Sequence, residues 1–272
     1  MANKTEAATY THGHHASVLR THGWRTALNS ASFLLPHVKP DMKILDIGCG
    51  PGTITVDLAT YVPQGHVTGL ENASEVLSQG RALAQERGIL NIDFVVGDGN
   101  GLQYEDNSFD VVFCHQVLQH VADPIKILKE MKRVAKDGGI VAARESDYSV
   151  FAWYPEVPGL REWQKLYDTV ARYNGGEPNA GRVLHVWAKR AGFVDLKCSV
   201  SSWCYVDRGE VEAWSRNWQE RAVKSAFGKT AVEGKLATPD DLEKVAKAWK
   251  EWGESEDAYL SIPSSEVICY KH

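Results

Sequence analysis

Short apolar runs alternate with segments of helical spacing through the first half of the chain. Branched and apolar residues fill five runs that are short enough for buried strands, at 43–47, 66–70, 92–96, 109–114 and 140–143. The segments between them predict helices at 53–61, at 74–87 before Gly88, and from Pro124 to the glycine pair 138–139. This alternation predicts a doubly wound, mostly parallel α/β sheet that binds its ligand at the carboxyl ends of the strands.

The pattern changes at about Asp147, and all tryptophans except Trp24 lie beyond that point. Helices are predicted at 160–173, 182–191, 210–227 and 239–252, and strands at 194–206 and 266–270. We interpret 41–206 with 264–272 as the core, and 147–180 and 207–263 as insertions that form a helical cap over the acceptor site. A cap this rich in aromatic residues suits a flat or apolar ligand.

The leading segment predicts one or two amphipathic helices over 16–35, ahead of the first strand. Residues 1–40 are therefore expected to form a helical lid, with Tyr10, His12, Arg25 and Asn29 as candidate ligand contacts. The alternative is a helix that only packs on the fold. His12, His14 and His15 have no cysteine or carboxylate at a ligand spacing, so we expect solvated or lid histidines and no metal.

Composition narrows the class of protein. The chain has 272 residues, 43% hydrophobic and 24% charged, with a net charge of −5. A nucleic-acid partner is disfavoured because phosphate binding usually needs a basic excess. Five cysteines without a C-x-x-C pair indicate a reducing compartment. Without a signal-peptide core or a membrane-length apolar run, we expect a soluble cytoplasmic enzyme with no membrane partner, either monomeric or homodimeric.

The run K-I-L-D-I-G-C-G-P-G at 43–52 joins the first strand directly to a glycine turn. Gly48, Gly50 and Gly52 allow the main chain to approach a ligand closely, and the following helix start offers amides to an anionic group. The spacing is G-x-G-x-G, whereas a dinucleotide fingerprint requires G-x-G-x-x-G. An NAD-binding oxidoreductase is therefore disfavoured.

Acidic residues end the next two strands. Glu71 lies where a carboxylate can accept hydrogen bonds from ribose hydroxyls, and a cap or surface acid is the alternative. Gly97-Asp98-Gly99-Asn100 follows the third strand, and there Asp98 can accept from an adenine amine. The alternative for Asp98 is a turn-forming aspartate between glycines.

In order and spacing, D-I-G-C-G-P-G, Glu71 and G-D-G-N resemble the cofactor pattern of class I S-adenosylmethionine-dependent methyltransferases over about 42–145. F-D-V-V-F-C-H-Q-V-L-Q-H-V-A-D-P and R-V-A-K-D-G-G are similar to the ubiquinone and menaquinone biosynthesis branch. The resemblance implies a seven-stranded Rossmann-like sheet and S-adenosylmethionine as cofactor. It places the cofactor among Asp46, Gly48, Cys49, Gly50, Gly52, Glu71, Asn72, Gly97, Asp98, Gly99, Asn100, His115, Gln116, Val117, Tyr10 and Arg25.

The leading segment Y-T-H-G-H-H-A-S-V-L-R-T-H-G-W-R-T-A-L-N-S-A-S-F-L-L-P further resembles fungal and bacterial methyltransferases of small molecules. Among these are fungal enzymes that bis-methylate the dithiols of epidithiodiketopiperazines such as reduced gliotoxin. This resemblance implies S-methylation of a dithiol. O- or C-methylation of a quinone or polyketide, and a relative that binds the cofactor without transferring methyl, remain as alternatives.

Neither an N-P-P-Y turn nor a carboxylate cluster follows the fourth strand, so we expect transfer without a metal. His115 ends that strand and is the candidate base or positioning group, with His120 as the second candidate. For His120 the alternative is a histidine that bonds to the backbone at a turn. A base is optional, because alignment of the acceptor supplies much of the rate enhancement.

Overall fold

The computed structural model describes Thr11 and residues 24–272. In this part of the chain one central sheet has eight strands: β1 (Lys43–Ile47), β2 (His66–Glu71), β3 (Ile92–Val96), β4 (Phe109–His115), β5 (Ala135–Ser146), β6 (Ala152–Tyr154), β7 (Asp195–Tyr205) and β8 (Tyr259–Tyr270). The first four coincide with the predicted runs to within one residue.

The strand order is β3-β2-β1-β4-β5-β8-β6, with β7 on the other edge of β8. Strands β1 to β5 are parallel, and β8 runs antiparallel to β5, β6 and β7. The winding reverses between β1 and β4, which opens a crevice at their carboxyl ends. The predicted doubly wound, mostly parallel fold is confirmed. The short β6 is additional to the seven predicted strands. Its three residues lie in an aromatic segment and pair with the first residues of β8, on the same edge of β8 that pairs with β5 further along.

The helices are α1 (Ala27–Ser30), α2 (Thr53–Tyr61), α3 (Leu77–Glu86), α4 (Pro124–Val134), α5 (Pro158–Tyr173), α6 (Ala180–Arg190), α7 (Arg208–Lys224), α8 (Ala226–Glu233) and α9 (Pro239–Glu254). Single 3₁₀ turns lie at Leu35–His37, Ser74–Val76, Leu118–His120 and Tyr148–Val150. No helix in the described residues is both long and apolar enough to cross a membrane.

Strand β5 covers Ala135–Ser146 where 140–143 was expected, and the leading helical segment, expected to reach residue 35, ends its described α-helix at Ser30. Three other boundaries are wrong for a local reason. The helix expected up to the glycine pair ends at Val134, because Ala135 already pairs with Phe109 and the glycines lie in an irregular part of β5. The helix expected over 210–227 breaks at Ser225, whose hydroxyl caps α8. Strand β8 begins at Tyr259 and not at 266, since its first half pairs with β6 and β7.

The described part of the leading segment packs against the sheet. Ala27, Ala31 and Leu34 are buried with Ile44 and Phe113 on one sheet face. Residues 27–34 therefore pack on the sheet, as the alternative to a lid expected. The lid stays a prediction for the residues before Trp24.

Aromatic side chains of the second half form a separate core beyond the sheet. Trp163, Trp218, Trp249 and Trp252 are fully buried there, with the Trp163 ring centroid 4.8 Å from those of both Trp218 and Trp249. Helices α5, α7 and α9 supply these four residues, so these four tryptophans pack against one another in a core.

Candidate active site

A cavity of about 990 Å³ opens at the carboxyl ends of β1, β2 and β4. It lies at the predicted place, where the winding of the sheet reverses. Two groups of residues line it. The glycine turn and the ends of β2, β3 and β4 form one half, which we call the cofactor half. The other half, the acceptor half, consists of Arg25, Ser146, Tyr148, Phe151, Trp203, Tyr205, Trp214, Arg221 and Ile262.

The glycine turn between β1 and α2 is a close-fitting main-chain cradle. Gly48, Gly50 and Gly52 all have positive φ, at 67°, 54° and 79°. A Cβ on Gly48 would lie 2.5 Å from Val117 Cγ2, and one on Gly52 would lie 2.6 Å from Phe94 Cε1. Only glycine satisfies both the backbone angle and the space at these positions. The sequence prediction of a close backbone approach is therefore matched by the geometry.

Asp46 lies at the end of β1, behind the turn. It is buried, and its Oδ2 accepts a 2.6 Å hydrogen bond from Thr55 Oγ1. Burial raises the pKa of Asp46 to about 7, against the opposing effect of the Thr55 bond, and nearby Glu71 raises it further. The neighbouring Cys49 has its thiol pKa raised by burial and by Asp46 and Glu71, so the thiol stays protonated.

Glu71 ends β2, and its carboxylate binds the backbone on both sides. Oε2 accepts from Gly50 N at 3.1 Å, while Oε1 accepts from Asn72 N at 2.8 Å and Ala73 N at 3.1 Å. A carboxylate has about four lone-pair sites, so one stays available for a ligand hydroxyl after these three bonds. Glu71 thus connects the glycine turn to the β2 end and still lines the cavity.

The turn after β3 presents Asp98 to the cavity. Asp98 Oδ1 accepts from both Asn100 N, at 2.8 Å, and Asn100 Nδ2, at 2.9 Å. The turn-forming alternative is therefore realised, and Oδ2 keeps its own lone pairs for a ligand amine. A Cβ on Gly97 would lie 2.8 Å from Leu70 Cδ1, and one on Gly99 3.1 Å from Ile47 Cγ2, so both glycines allow this turn to pack on the sheet.

His115 ends β4 and is held by a neighbour on β5. Arg144 Nη1 lies 3.0 Å from His115 Nε2, and the His115 ring centroid lies 5.5 Å from that of Trp203. Because a guanidinium can only donate, Nε2 accepts this bond and the ring proton sits on Nδ1. A neutral imidazole of this kind can donate a hydrogen bond from Nδ1. The two predicted roles of His115, as a base and as a positioning group, both stay predictions.

Gln116 follows in the left-handed region, with φ of 53°. Its Oε1 accepts a 2.6 Å bond from Arg25 Nη2, and its Nε2 donates to Ser146 Oγ. The side chain thus connects the N-terminal segment to the end of β5. Non-glycine residues with positive φ cluster at functional sites, where the surroundings hold them in place.

Glu145 of β5 fixes the loop that begins at Val117, and the sequence analysis missed it. It is fully buried, with Oε1 accepting from Val117 N at 3.0 Å and Leu118 N at 2.8 Å, and Oε2 from Gln119 N at 3.2 Å. Burial raises the pKa of Glu145 to about 7 despite these bonds. A charged residue inside an apolar strand was the one sequence signal that could have indicated this role.

His120 is the last residue of the 3₁₀ turn Leu118–His120, and it lines the cavity. Gln119 Nε2 donates to His120 Nε2 at 3.0 Å, because an amide nitrogen cannot accept. Burial, helped by the charge of Arg25, lowers the pKa of His120 to about 3. His120 is therefore neutral at physiological pH. Its partner is a side chain of the turn, whereas the predicted alternative was a backbone group.

A pH titration tests this state of His120. A histidine whose folded pKa lies below its unfolded value, near 6.5, stabilises the fold above pH 6.5, and this contribution is lost as the pH falls toward 3. We expect the unfolding free energy of the wild type, minus that of His120→Asn, to fall by up to about 1.4 kcal/mol per pH unit below pH 6. Urea unfolding at several pH values measures it. A difference that does not change with pH would contradict the lowered pKa.

Other predicted residues lie apart from the cavity or outside the described residues. Tyr10, His12, His14 and His15 are in the latter group. Asn29 caps α1 and accepts a bond from Trp203 Nε1 through its backbone oxygen, so it supports the wall of the cavity from behind. The remaining predicted cofactor residues, apart from Gly52, all line the cavity. The described residues contain no group of three or more His, Cys, Asp or Glu side chains arranged to hold a metal.

Comparison with known proteins assigns this fold and site to a family. A methyltransferase domain model matches residues 38–220. An uncharacterized methyltransferase of Schizosaccharomyces pombe is 36% identical over 100% of this chain and 99% of its own length. A "probable methyltransferase" of Aspergillus luteorubrus is 32% identical over the full length of both.

Among solved structures, a phosphoethanolamine N-methyltransferase of Haemonchus contortus, in complex with phosphomonomethylethanolamine and S-adenosylhomocysteine, superposes with a TM-score of 0.53 at 19% identity. The match covers 86% of this chain and 49% of that enzyme, so this chain spans about half of it and shares its fold. The chain therefore belongs to the methyltransferase domain family and is a class I S-adenosylmethionine-dependent methyltransferase.

Proposed function

We propose that this enzyme methylates a small-molecule metabolite directly, without a metal, and that a dithiol of the reduced gliotoxin type is the narrower candidate. The observation that carries the proposal is the single cavity in which the glycine turn of the cofactor half adjoins an aromatic acceptor half. At about 990 Å³ it lies at the upper end of the range for small-molecule sites, which suits two ligands side by side.

The residues of the cofactor half fit S-adenosylmethionine. The glycine cradle, where a Cβ on Gly48 would clash with the cavity-lining Val117, and the positive end of α2 suit the carboxylate of its methionine part. Glu71 keeps one lone-pair site for a ribose hydroxyl, and Asp98 Oδ2 suits an adenine amine. When bound, the cofactor supplies an electrophilic methyl group on a sulfonium. The chain's own task is then to align the acceptor and to exclude water.

His115 and Gln116 lie between the two halves, and we propose that they position the acceptor. Neutral His115, oriented by Arg144, can donate from Nδ1, whereas Gln116 is fixed by Arg25 and Ser146. No base is needed for a thiol whose pKa is about 8.5, because part of it is already ionised near neutrality. A phenol or alcohol requires more help, which supports the thiol over the quinol alternative.

Mass spectrometry of the protein incubated with S-adenosylmethionine and a panel of acceptors tests the proposal. The panel contains reduced epidithiodiketopiperazines, small thiols, quinols and phenols. A gain of one or two methyl groups on a dithiol supports the narrower candidate, and gains only on oxygen or carbon promote the quinone or polyketide alternative. Cofactor bound with no acceptor modified would favour a relative that does not transfer methyl.

Glu71→Ala tests the assignment of the cofactor half. We expect S-adenosylhomocysteine to bind about 1–3 kcal/mol more weakly, because the variant loses both the hydroxyl acceptor and the bond that holds Gly50 N. Isothermal titration calorimetry measures the affinity. Glu86→Ala, on the exposed face of α3, is the matched control and should bind as the wild type does. An unchanged affinity in Glu71→Ala would remove Glu71 from the cofactor site.

A further inference from the structure

The acceptor half of the cavity has aromatic walls. Trp203 lies beside His115, and Tyr205 follows with its ring centroid 4.9 Å from that of Trp214. Tyr148 and Phe151 also line this half, and their rings stack, with centroids 4.5 Å apart and planes 24° apart. Aromatic rings recognise a flat ligand by stacking, at little cost in side-chain entropy. The aromatic lining of this half therefore suits a flat ring system.

Charge is distributed unequally between the two halves. Among the described residues, every carboxylate that lines the cavity belongs to the ends of β1, β2 and β3 or to the start of α4: Asp46, Glu71, Asp98 and Asp123. The acceptor half instead contributes the guanidiniums of Arg25 and Arg221. Glu210, whose charge acts on Tyr205, accepts a hydrogen bond from Trp24 Nε1 and does not line the cavity.

Both guanidiniums lie against tryptophan rings. Arg25 Cζ is 5.3 Å from the Trp203 centroid, and Arg221 Cζ is 4.7 Å from that of Trp218. Arg221 is buried, with 4% of its surface exposed, and it reaches the acceptor half from α7. Stacking on rings fixes the planes of these cations, and burial strengthens their attraction for an anion.

The two tyrosines of the walls add hydrogen-bond donors. Burial raises the pKa of both Tyr148 and Tyr205, so both phenols keep their protons near neutrality. A protonated phenol can donate to an anionic oxygen or sulfur. A cationic amine, in contrast, would meet two guanidiniums and, within the part of the chain that the structure describes, no carboxylate that lines this half.

We propose that the acceptor half binds a flat aromatic acceptor in its anionic form, with Arg221 as the residue that selects the charge. This inference rests on the proposed methyl transfer in the same cavity, and it favours an aromatic acceptor over the alkyl dithiol named above as the narrower candidate. An aryl thiolate, a phenolate or a ring that carries a carboxylate shares the required chemistry. The acceptor panel described above distinguishes the thiolate from the phenolate through the atom that gains the methyl group.

Binding of three matched probes tests the inference without turnover. Calorimetry in saturating S-adenosylhomocysteine compares 2-naphthoate, 2-naphthamide and 2-naphthylmethylamine, which share one ring system and differ in charge. We expect the naphthoate to bind at least tenfold more tightly than the amide, and the amine to bind most weakly. A naphthoate that binds no more tightly than the amide or the amine overturns the inference.

Variants of Arg221 assign the preference to one residue. Arg221→Met keeps a long side chain on Trp218, and we expect the acid-to-amide preference to fall to threefold or less. Arg221→Lys should retain most of the preference, because it keeps the charge. Arg216→Met is the matched control, since Arg216 is exposed on the same helix, and it should bind all three probes as the wild type does.

Two results separate this inference from the proposed function. If S-adenosylhomocysteine binds the wild type and the variants equally but Arg221→Met keeps the full preference for the acid, the selecting role of Arg221 is overturned and methyl transfer stands. If S-adenosylhomocysteine does not bind the wild type at all, the proposed function fails first. Thermal unfolding of each variant, with and without S-adenosylhomocysteine, reports whether the fold is retained.

Discussion

Replacing Gly48 by alanine is expected to abolish measurable binding of S-adenosylhomocysteine and to destabilise the fold by about 3 kcal/mol or more. Two costs combine at this position. The residue has φ of 67°, a conformation that disfavours any Cβ, and the new Cβ would lie 2.5 Å from Val117 Cγ2. Relief of that clash must move either the glycine turn or the loop after β4, and both line the cavity.

Gly88→Ala is the matched control for the backbone conformation. Gly88 has φ of 66°, almost the same as Gly48, but nothing lies within 4 Å of a Cβ placed there. It should therefore show the conformational cost alone, about 1–2 kcal/mol, with cofactor affinity unchanged. Urea unfolding and calorimetry with S-adenosylhomocysteine measure the two effects for both variants.

The double variant Gly48→Ala/Val117→Ala separates the clash from the strain. Removing the Val117 methyl groups opens the space that the new Cβ needs, so part of the lost stability and affinity should return. If the double variant binds S-adenosylhomocysteine no better than Gly48→Ala does, the clash with Val117 is not the cause of the lost affinity.

The glycine turn could be predicted from the sequence because its determinants are local. The apolar run of β1, the spacing of the glycines and the acid at the end of β2 all lie within 43–71, and each carries its own physical signature. The same holds for Asp98, whose turn is closed by its neighbour Asn100. The doubly wound, mostly parallel class of the sheet followed from the alternation of strands and helices.

The polar partners of His115 could not be predicted, because they depend on strand register. Arg144 reaches His115 because β4 and β5 pair these two residues directly, 29 positions apart in the chain. A strand assignment alone does not specify register, since a shift by one residue moves every side chain to the other face. The acceptor half is still less local, because Trp203 and Arg221 reach it from β7 and α7.

Glu145→Ala is expected to have the other large effect, for a reason that involves the same loop. The substitution leaves three backbone N–H groups, at residues 117–119, without the acceptor they share in the wild type. Each unsatisfied buried donor costs about 1–3 kcal/mol, so the fold should lose about 3 kcal/mol or more. Because Val117 packs against Gly48, S-adenosylhomocysteine affinity should fall at least tenfold.

Asp57→Asn is the control for loss of a carboxylate that holds a backbone amide elsewhere. Asp57 Oδ2 accepts from Ala27 N at 2.9 Å, and Asp57 does not line the cavity. Its replacement should lower stability without changing cofactor affinity. An equal loss of affinity in the two variants would show that general destabilisation, and not the position of the loop, weakens binding.

Glu145→Gln adds a test of charge that alanine cannot give. The pKa of Glu145 is raised from its usual value near 4.5 to about 7, so the folded protein binds a proton here more readily than the unfolded chain does. The stability that this proton contributes is complete below pH 4.5 and is lost as the pH rises to about 7. We therefore expect the unfolding free energy of the wild type, minus that of Glu145→Gln, to decrease across this window by up to about 1.4 kcal/mol per pH unit. A difference that rises with pH instead would mean that the three N–H bonds outweigh burial and hold Glu145 ionised.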